Sequence, residues 1–68
     1  MQDRRGRVDV FDERRGLGEI VDDDGARYGF HCTRIADGTR TIPTGATVTF
    51  DVAPGPAGRW EAAEIRRT

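Results

Sequence analysis

The sequence has only one cysteine, no lysine and no long apolar run. A single cysteine cannot form an intramolecular disulfide, which agrees with a reducing compartment. No segment approaches the roughly 18 apolar residues that a membrane-spanning helix needs. The polar start at Met1 also lacks the apolar segment of a secretion signal. We therefore expect a soluble cytoplasmic protein that does not contact a membrane.

Aromatic residues are also scarce, at 7% of the chain, whereas charged residues of both signs make up 34%. The net charge of −1 gives no overall attraction to nucleic acid or to an anionic membrane. All 11 basic residues are arginines, which favour planar and bidentate contacts, although solvated arginines are the simpler interpretation. A chain of 68 residues has room for a small core. We expect one domain over residues 1–68, with its core at about residues 6–66.

Alternation of apolar and polar residues predicts strands at residues 4–12, 17–21, 27–31, 47–52 and 59–67. In the first predicted strand, Val8 and Val10 are expected to share one face. Arg7 and Phe11 are expected on the opposite face, together with Asp9. Residues 22–25, Asp-Asp-Asp-Gly, predict the turn of a β-hairpin.

The remaining segments favour turns and strands over helices. In the third predicted strand, Tyr28 and Phe30 share one face and His31 lies on the opposite face. Residues 32–35 predict a short helical turn, and residues 54–58, Pro-Gly-Pro-Ala-Gly, predict a loop. Residues 61–64 also have good helix propensity, but a strand at 59–67 closes the sheet and places Ala63 and Ile65 in the core. The pattern predicts an all-β barrel or sandwich.

Several motifs occur in a characteristic order along the chain. Residues 6–12 read Gly-Arg-Val-Asp-Val-Phe-Asp, residues 15–20 read Arg-Gly-Leu-Gly-Glu-Ile, and residues 28–32 read Tyr-Gly-Phe-His-Cys. These resemble the cold-shock domain motifs Gly-Lys-Val-Lys-Trp-Phe-Asn, Lys-Gly-Phe-Gly-Phe-Ile and Val-Phe-Val-His-Phe. The resemblance covers about residues 6–65. It places Tyr28 and Phe30 where the family has inward-facing valines, so it implies that both lie in the core. It implies an all-β, five-stranded antiparallel OB-fold barrel that binds single-stranded RNA or DNA.

The resemblance also implies how such a domain binds, which is by stacking bases on exposed aromatic residues of the first three strands and a neighbouring loop. Non-aromatic residues replace most of those rings here, at Val10, Leu17, Glu19, Gly29, Cys32 and Thr39. Phe11 and His31 remain as stacking residues of the family type. We therefore expect weaker binding than a full aromatic platform would give.

The candidate nucleic-acid-binding residues are Arg7, Phe11, Arg14, Arg15, Leu17, His31 and Trp60. In this hypothesis the arginines contact phosphates and the rings stack on bases. For two of the rings a structural alternative remains open. Phe11 could instead cover the rim of the barrel, and Trp60 could instead pack against its open end.

The sequence contains no combination of residues typical of catalysis. Cys32 follows His31, but no third group is evident that would orient them. Residues 22–25 do not continue with the ligand spacing of a calcium loop. We therefore expect a protein that is not an enzyme and has no cofactor and no metal site. We also expect a monomer. The alternative function is a protein-interaction module that has lost nucleic-acid binding and binds a protein partner.

Overall fold

The computed structural model describes residues 4–68, so residues 1–3 of the predicted domain lie outside the described residues. Its strands are β1 (Arg4–Asp12), β2 (Leu17–Asp22), β3 (Arg27–His31), β4 (Thr47–Pro54) and β5 (Trp60–Arg67). Short 3-10 turns occupy Cys32–Arg34 and Pro56–Gly58. All five predicted strands are therefore confirmed, including β5, where helix was the alternative. No helix within residues 4–68 is long and apolar enough to cross a membrane.

The strands form a closed barrel in the order β1-β2-β3-β5-β4, which confirms the predicted all-β, OB-type barrel. Four of the neighbouring pairs are antiparallel, but β3 and β5 pair in parallel at Gly29 and Glu61. The β3–β5 pair is therefore the one exception to antiparallel pairing among the described strands. With an odd number of strands, closure cannot alternate direction at every step, so one neighbouring pair must run in parallel.

The core lies inside the barrel and receives side chains from every strand. Phe30 and Ile65 are buried, as is Ala63, so these predicted core positions are confirmed. Tyr28 is only partly buried and packs against Phe50, with ring centroids 5.6 Å apart. The buried apolar cluster consists of Val8, Ile20, Phe30, Ile35, Ile42, Val48, Phe50, Ala62 and Ile65.

A β-bulge in β1 reverses the expected orientation of two side chains. Val8 pairs with Ile20 and Val10 with Glu19, so Asp9 is an extra residue in β1. One extra residue shifts the alternation by one position. The expectation that Val10 shares the face of Val8 is therefore wrong: Val8 is buried, whereas Val10 is 50% exposed. Phe11 turns inward instead and packs against the core.

The β2–β3 turn is organised by Asp22, the last residue of β2. Its Oδ1 accepts hydrogen bonds from the backbone N–H groups of Asp24 and Ala26, each at 2.9 Å. Gly25 adopts a φ of 88°, a conformation that glycine reaches without a Cβ clash. The β4–β5 loop lies at residues 55–59 instead of the predicted 54–58, because β4 continues to Pro54 and β5 begins at Trp60.

Candidate functional site

The three large apolar side chains that remain exposed among residues 4–68 lie along one groove. Val10 is 50% exposed, Leu17 46% and Trp60 61%. All three line an open groove of about 1400 Å³ on the outer surface of the barrel. Exposed apolar surface that is gathered in one place, rather than scattered, is typical of a binding site.

The floor of this groove is the outward face of β1, β2 and β3. In a sheet, residues directly opposite each other on neighbouring strands share a face. The register therefore defines two outward rows across the three strands. The first row is Asp12, Leu17 and His31, and the second is Val10, Glu19 and Gly29.

One rim of the groove is the hairpin that joins β4 to β5. Within it, Gly55 N–H donates to the Arg59 carbonyl at 2.6 Å, and Arg59 N–H donates to the Pro56 carbonyl at 3.3 Å. Trp60 follows directly and pairs with Pro54 at the end of the hairpin. The alternative in which Trp60 packs away against the barrel end is wrong, because its side chain lines the groove and is mostly exposed.

The groove carries more positive charge than the chain as a whole. Four arginines and three carboxylates line it, whereas the net charge of the chain is −1. These arginines are Arg15, Arg27, Arg34 and Arg59, and the carboxylates are Asp12, Glu19 and Glu61. A polyanion would therefore meet local positive charge that the overall composition conceals.

One of these arginines is engaged by two carboxylates. The guanidinium of Arg27 donates to Glu19 Oε1 from Nε at 3.1 Å and from Nη2 at 2.9 Å. Its Nη2 also donates to Asp9 Oδ2 at 2.5 Å. The hydrogen bond to Asp9, followed by that to Glu19, raises the pKa of Arg27 above its ordinary value, so Arg27 stays charged. This exposed network neutralises part of the positive charge of the groove.

His31 has a fixed position at the end of β3. Its Nδ1 accepts a hydrogen bond from Thr33 N–H at 3.3 Å, so His31 caps the 3-10 turn at Cys32–Arg34. Because Nδ1 is an acceptor, we assign the proton of the neutral ring to Nε2. Nε2 has no hydrogen-bond partner among the described residues. The ring of His31 is therefore held in place where it lines the groove, with its donor on Nε2.

The structure brings together some of the predicted site residues and separates others. Arg15, Leu17, His31 and Trp60 all line the groove. Arg7, Phe11 and Arg14 do not line it.

The residues outside the groove lie in two places. Phe11 and Arg14 line a smaller cleft of about 720 Å³, next to residues 41–44. Arg7 is exposed on β1 and pairs with Val21 on β2, beyond the two rows of the floor. Arg7 therefore lies near the groove without bordering it.

Sequence reasoning missed Val10, Arg27, Arg34 and Arg59 as lining residues. A signal for Arg27 was available in the hairpin, because a turn at residues 22–25 places Arg27 near Glu19 across β2 and β3. Arg34 and Arg59 lie in or beside short turns, and no periodicity predicts where those turns place a side chain.

The described residues also bear on the cysteine and on metal binding. Cys32 is half-buried, with Sγ 3.9 Å from Nδ1 of His31. Cys32 begins the 3-10 turn and does not continue β3, so the side-chain alternation of the strand does not extend to it. Within residues 4–68, no three His, Cys, Asp or Glu side chains are placed to hold a metal ion.

A closed five-stranded barrel with an exposed face on its first three strands defines the OB-fold class. The chain is similar to the Drosophila Unr CSD456 structure, with a TM-score of 0.80 and 26% identity, over 98% of this chain and 27% of that one. No protein-family model matches the sequence.

Two relatives show similarity over most of the chain. The cold shock-like protein of Thermotoga maritima is 33% identical over 63 residues, which cover 91% of this chain and 94% of that protein. Glycine-rich protein 2 of Nicotiana sylvestris is 36% identical over 66 residues, or 94% of this chain. The chain spans only 31% of the length of that tobacco protein. The chain belongs to the cold-shock domain family.

Proposed function

We propose that this protein binds single-stranded RNA or DNA along the groove, with low affinity and without catalysing a reaction. The cold-shock family is one of nucleic-acid-binding domains, and OB-fold domains commonly bind single strands on this face. The observation that carries the proposal is that exposed apolar side chains and arginines converge on one groove.

Each type of lining residue has a role in this proposal. Bases stack on the exposed ring of Trp60 and cover the apolar surface of Leu17 and Val10. Arg15 contacts phosphates, and the Nε2 donor of His31 binds a phosphate or the edge of a base. Because stacking depends little on the identity of the base, these contacts alone allow both RNA and DNA.

The low affinity follows from the small number of exposed rings. Trp60 and His31 are the exposed rings that line the groove, whereas Tyr28 is half-buried. A base stacked on an aromatic side chain contributes roughly 1–3 kcal/mol, whereas micromolar binding corresponds to about 8 kcal/mol. Two stacks and a few phosphate contacts therefore support only weak binding, with a dissociation constant that is micromolar or larger.

The candidate residues outside the groove receive secondary roles. Phe11 supports the floor from beneath by packing against the core. Arg7 and Arg14 contact phosphates only of a strand that extends past the groove. We also propose that the protein acts as a monomer in the cytoplasm. Light scattering, at the concentrations at which binding is measured, tests the oligomeric state.

Fluorescence of Trp60, the only tryptophan, tests the proposal directly. Heptathymidine and heptauridine are titrated at several salt concentrations, and we expect quenching with low affinity that falls as salt rises. Each phosphate contact on a single strand contributes about 0.7 to the slope of log K against log salt. Arg15→Ala should lower that slope by about 0.7, whereas Arg7→Ala, the matched control outside the groove, should change it less. Sub-micromolar binding at low salt would contradict the low affinity, and no binding at all would contradict the function.

One observation favours the alternative of a protein-interaction module. Glu19 places a carboxylate in the floor of the groove, where it repels phosphates. Under this alternative the apolar residues of the groove contact a protein. The protein would then bind neither heptamer, and a protein partner would protect Trp60 from a collisional quencher.

A further inference from the structure

Within residues 4–68, only one of the two carboxylate oxygens of Glu19 accepts hydrogen bonds. Both of its hydrogen bonds from Arg27 reach Oε1, and Oε2 has no hydrogen-bond partner among residues 4–68. The guanidinium that holds Oε1 is itself held by Asp9. The guanidinium of Arg27 therefore orients the carboxylate, while Oε2 can still accept two hydrogen bonds.

There is room for a base beside this carboxylate. Gly29 follows Glu19 in the second outward row, and a Cβ built on Gly29 would meet nothing closer than the Gly18 carbonyl oxygen at 3.9 Å. On the other side of Glu19 in the same row, Val10 offers exposed apolar surface. A planar group can therefore lie over Val10 or Gly29 with its edge against Glu19.

The charge of Glu19 determines which part of a nucleic acid can be that group. A carboxylate repels phosphate, so a bound strand must present a base edge there rather than its backbone. The edge must consist of donors, because an ionised carboxylate only accepts hydrogen bonds. Glutamate and aspartate read the amino group of cytosine on the same principle.

The four bases differ in what they offer to a single acceptor. Guanine presents two adjacent donors on its Watson–Crick edge, N1–H and the N2 amino group. Cytosine and adenine each present one amino group next to a ring nitrogen that is an acceptor. Thymine and uracil present one N–H between two carbonyl oxygens, which a carboxylate repels. Guanine alone offers two adjacent donors that can converge on Oε2.

We propose that Glu19, oriented by Arg27, selects guanine at one position of the bound strand. This inference rests on the proposed single-strand binding and names its base preference. In the bound state N1–H and the N2 amino group of guanine both donate to Glu19 Oε2, while Arg27 keeps its hydrogen bonds to Oε1. The stacked bases on either side need no particular identity.

Three heptamers test the preference through the fluorescence of Trp60. They carry guanine, inosine or thymine at the central position of an otherwise thymidine strand, which avoids the self-association of guanine runs. Inosine keeps N1–H and lacks the N2 amino group. We expect the guanine heptamer to bind about tenfold more tightly than the thymine heptamer, with inosine between them.

Glu19→Gln tests whether the preference depends on the carboxylate. The amide has nearly the same shape, but its NH₂ group is a donor and its charge is gone. We expect tighter binding of the thymine heptamer, because repulsion of its carbonyl oxygens is lost, and a guanine-to-thymine ratio close to one. Asp23→Asn makes the same change of charge in the exposed β2–β3 turn, outside the groove, and should leave the ratio unchanged.

The outcomes separate this inference from the function on which it rests. Equal binding of the guanine and thymine heptamers, or a guanine preference that survives Glu19→Gln, would overturn the role of Glu19 while leaving single-strand binding intact. Binding of none of the three heptamers would overturn the proposed function and the preference together. Circular dichroism of each variant confirms that it is folded before its ratio is measured.

Discussion

The rings of Phe11 and Phe30 lie parallel, with centroids 5.9 Å apart and planes inclined by 4°. They belong to β1 and β3, and the residue between them on β2 is Gly18. A Cβ on Gly18 would lie 2.6 Å from Cζ of Phe30, so only glycine leaves room for this contact. The two rings therefore stack over Gly18 and connect β1 to β3 across β2, beneath the groove.

Because of this contact, we predict that Phe11 contributes mainly to the stability of the fold and less to binding. Phe11→Ala removes a half-buried ring from the core, and we expect a loss of roughly 2 kcal/mol in the free energy of unfolding. Trp60→Ala removes an exposed ring and should change that free energy by no more than about 0.5 kcal/mol, although it weakens binding. Urea denaturation followed by circular dichroism measures both, and a labelled heptamer reports binding by anisotropy. Equal stability of the two variants would contradict the role given to Phe11.

The orientation of Phe11 also shows where sequence reasoning stops. Strand existence followed from alternation and turn residues, and the order of motifs gave the barrel. A bulge at Asp9 is one extra residue without a distinctive composition, so strict alternation put Val10 inside and Phe11 outside. The position of a bulge depends on how several strands pair with one another, and the local sequence does not specify that pairing.

The candidate site was predictable only in part for the same reason. Leu17 and His31 could be placed because they lie in regular strands next to recognisable motifs. Trp60 follows a loop whose path depends on backbone hydrogen bonds between Gly55, Pro56 and Arg59. The engagement of Arg27 by both Glu19 and Asp9 depends on the hairpin register and on the bulge together.

His31 combines a structural and a binding role, and two substitutions can separate them. Asparagine is a good N-cap residue, so His31→Asn should keep the hydrogen bond from Thr33 N–H while removing the imidazole ring. His31→Ala removes both and should lower the free energy of unfolding by about 1 kcal/mol. We expect both variants to lose affinity for heptathymidine, measured by Trp60 fluorescence, and only the alanine variant to lose stability. Full affinity in His31→Asn would show that the ring does not contact the strand.

Asp22 is the buried carboxylate on which the β2–β3 turn depends. It is 7% exposed and accepts hydrogen bonds from two backbone N–H groups, those of Asp24 and Ala26. Asp22→Ala leaves these donors without their partner, and we expect a loss of about 1–3 kcal/mol. Asp23→Ala is the matched control, because that side chain is exposed, and it should change stability by no more than about 0.5 kcal/mol. Similar urea midpoints for the two variants would contradict this account of the turn.

Gly29 offers the most direct test of whether missing rings limit affinity. A side chain added there points into open space, since its Cβ would meet nothing closer than 3.9 Å, and Gly29 has no positive φ that would strain a larger residue. Gly29→Phe places an aromatic ring in the groove, between Glu19 on β2 and Glu61 on β5. One added stack should tighten binding of heptathymidine about tenfold.

Gly29→Leu is the matched control for that substitution, because leucine adds apolar surface without an aromatic face. It should tighten binding less than phenylalanine does, and neither variant should unfold at lower urea, since a larger residue suits a strand better than glycine. Equal affinity of both variants would show that apolar area rather than stacking limits binding. Unchanged affinity in Gly29→Phe would mean that bound strands do not pass over β3, and it would remove the second row of the floor from the proposed interface.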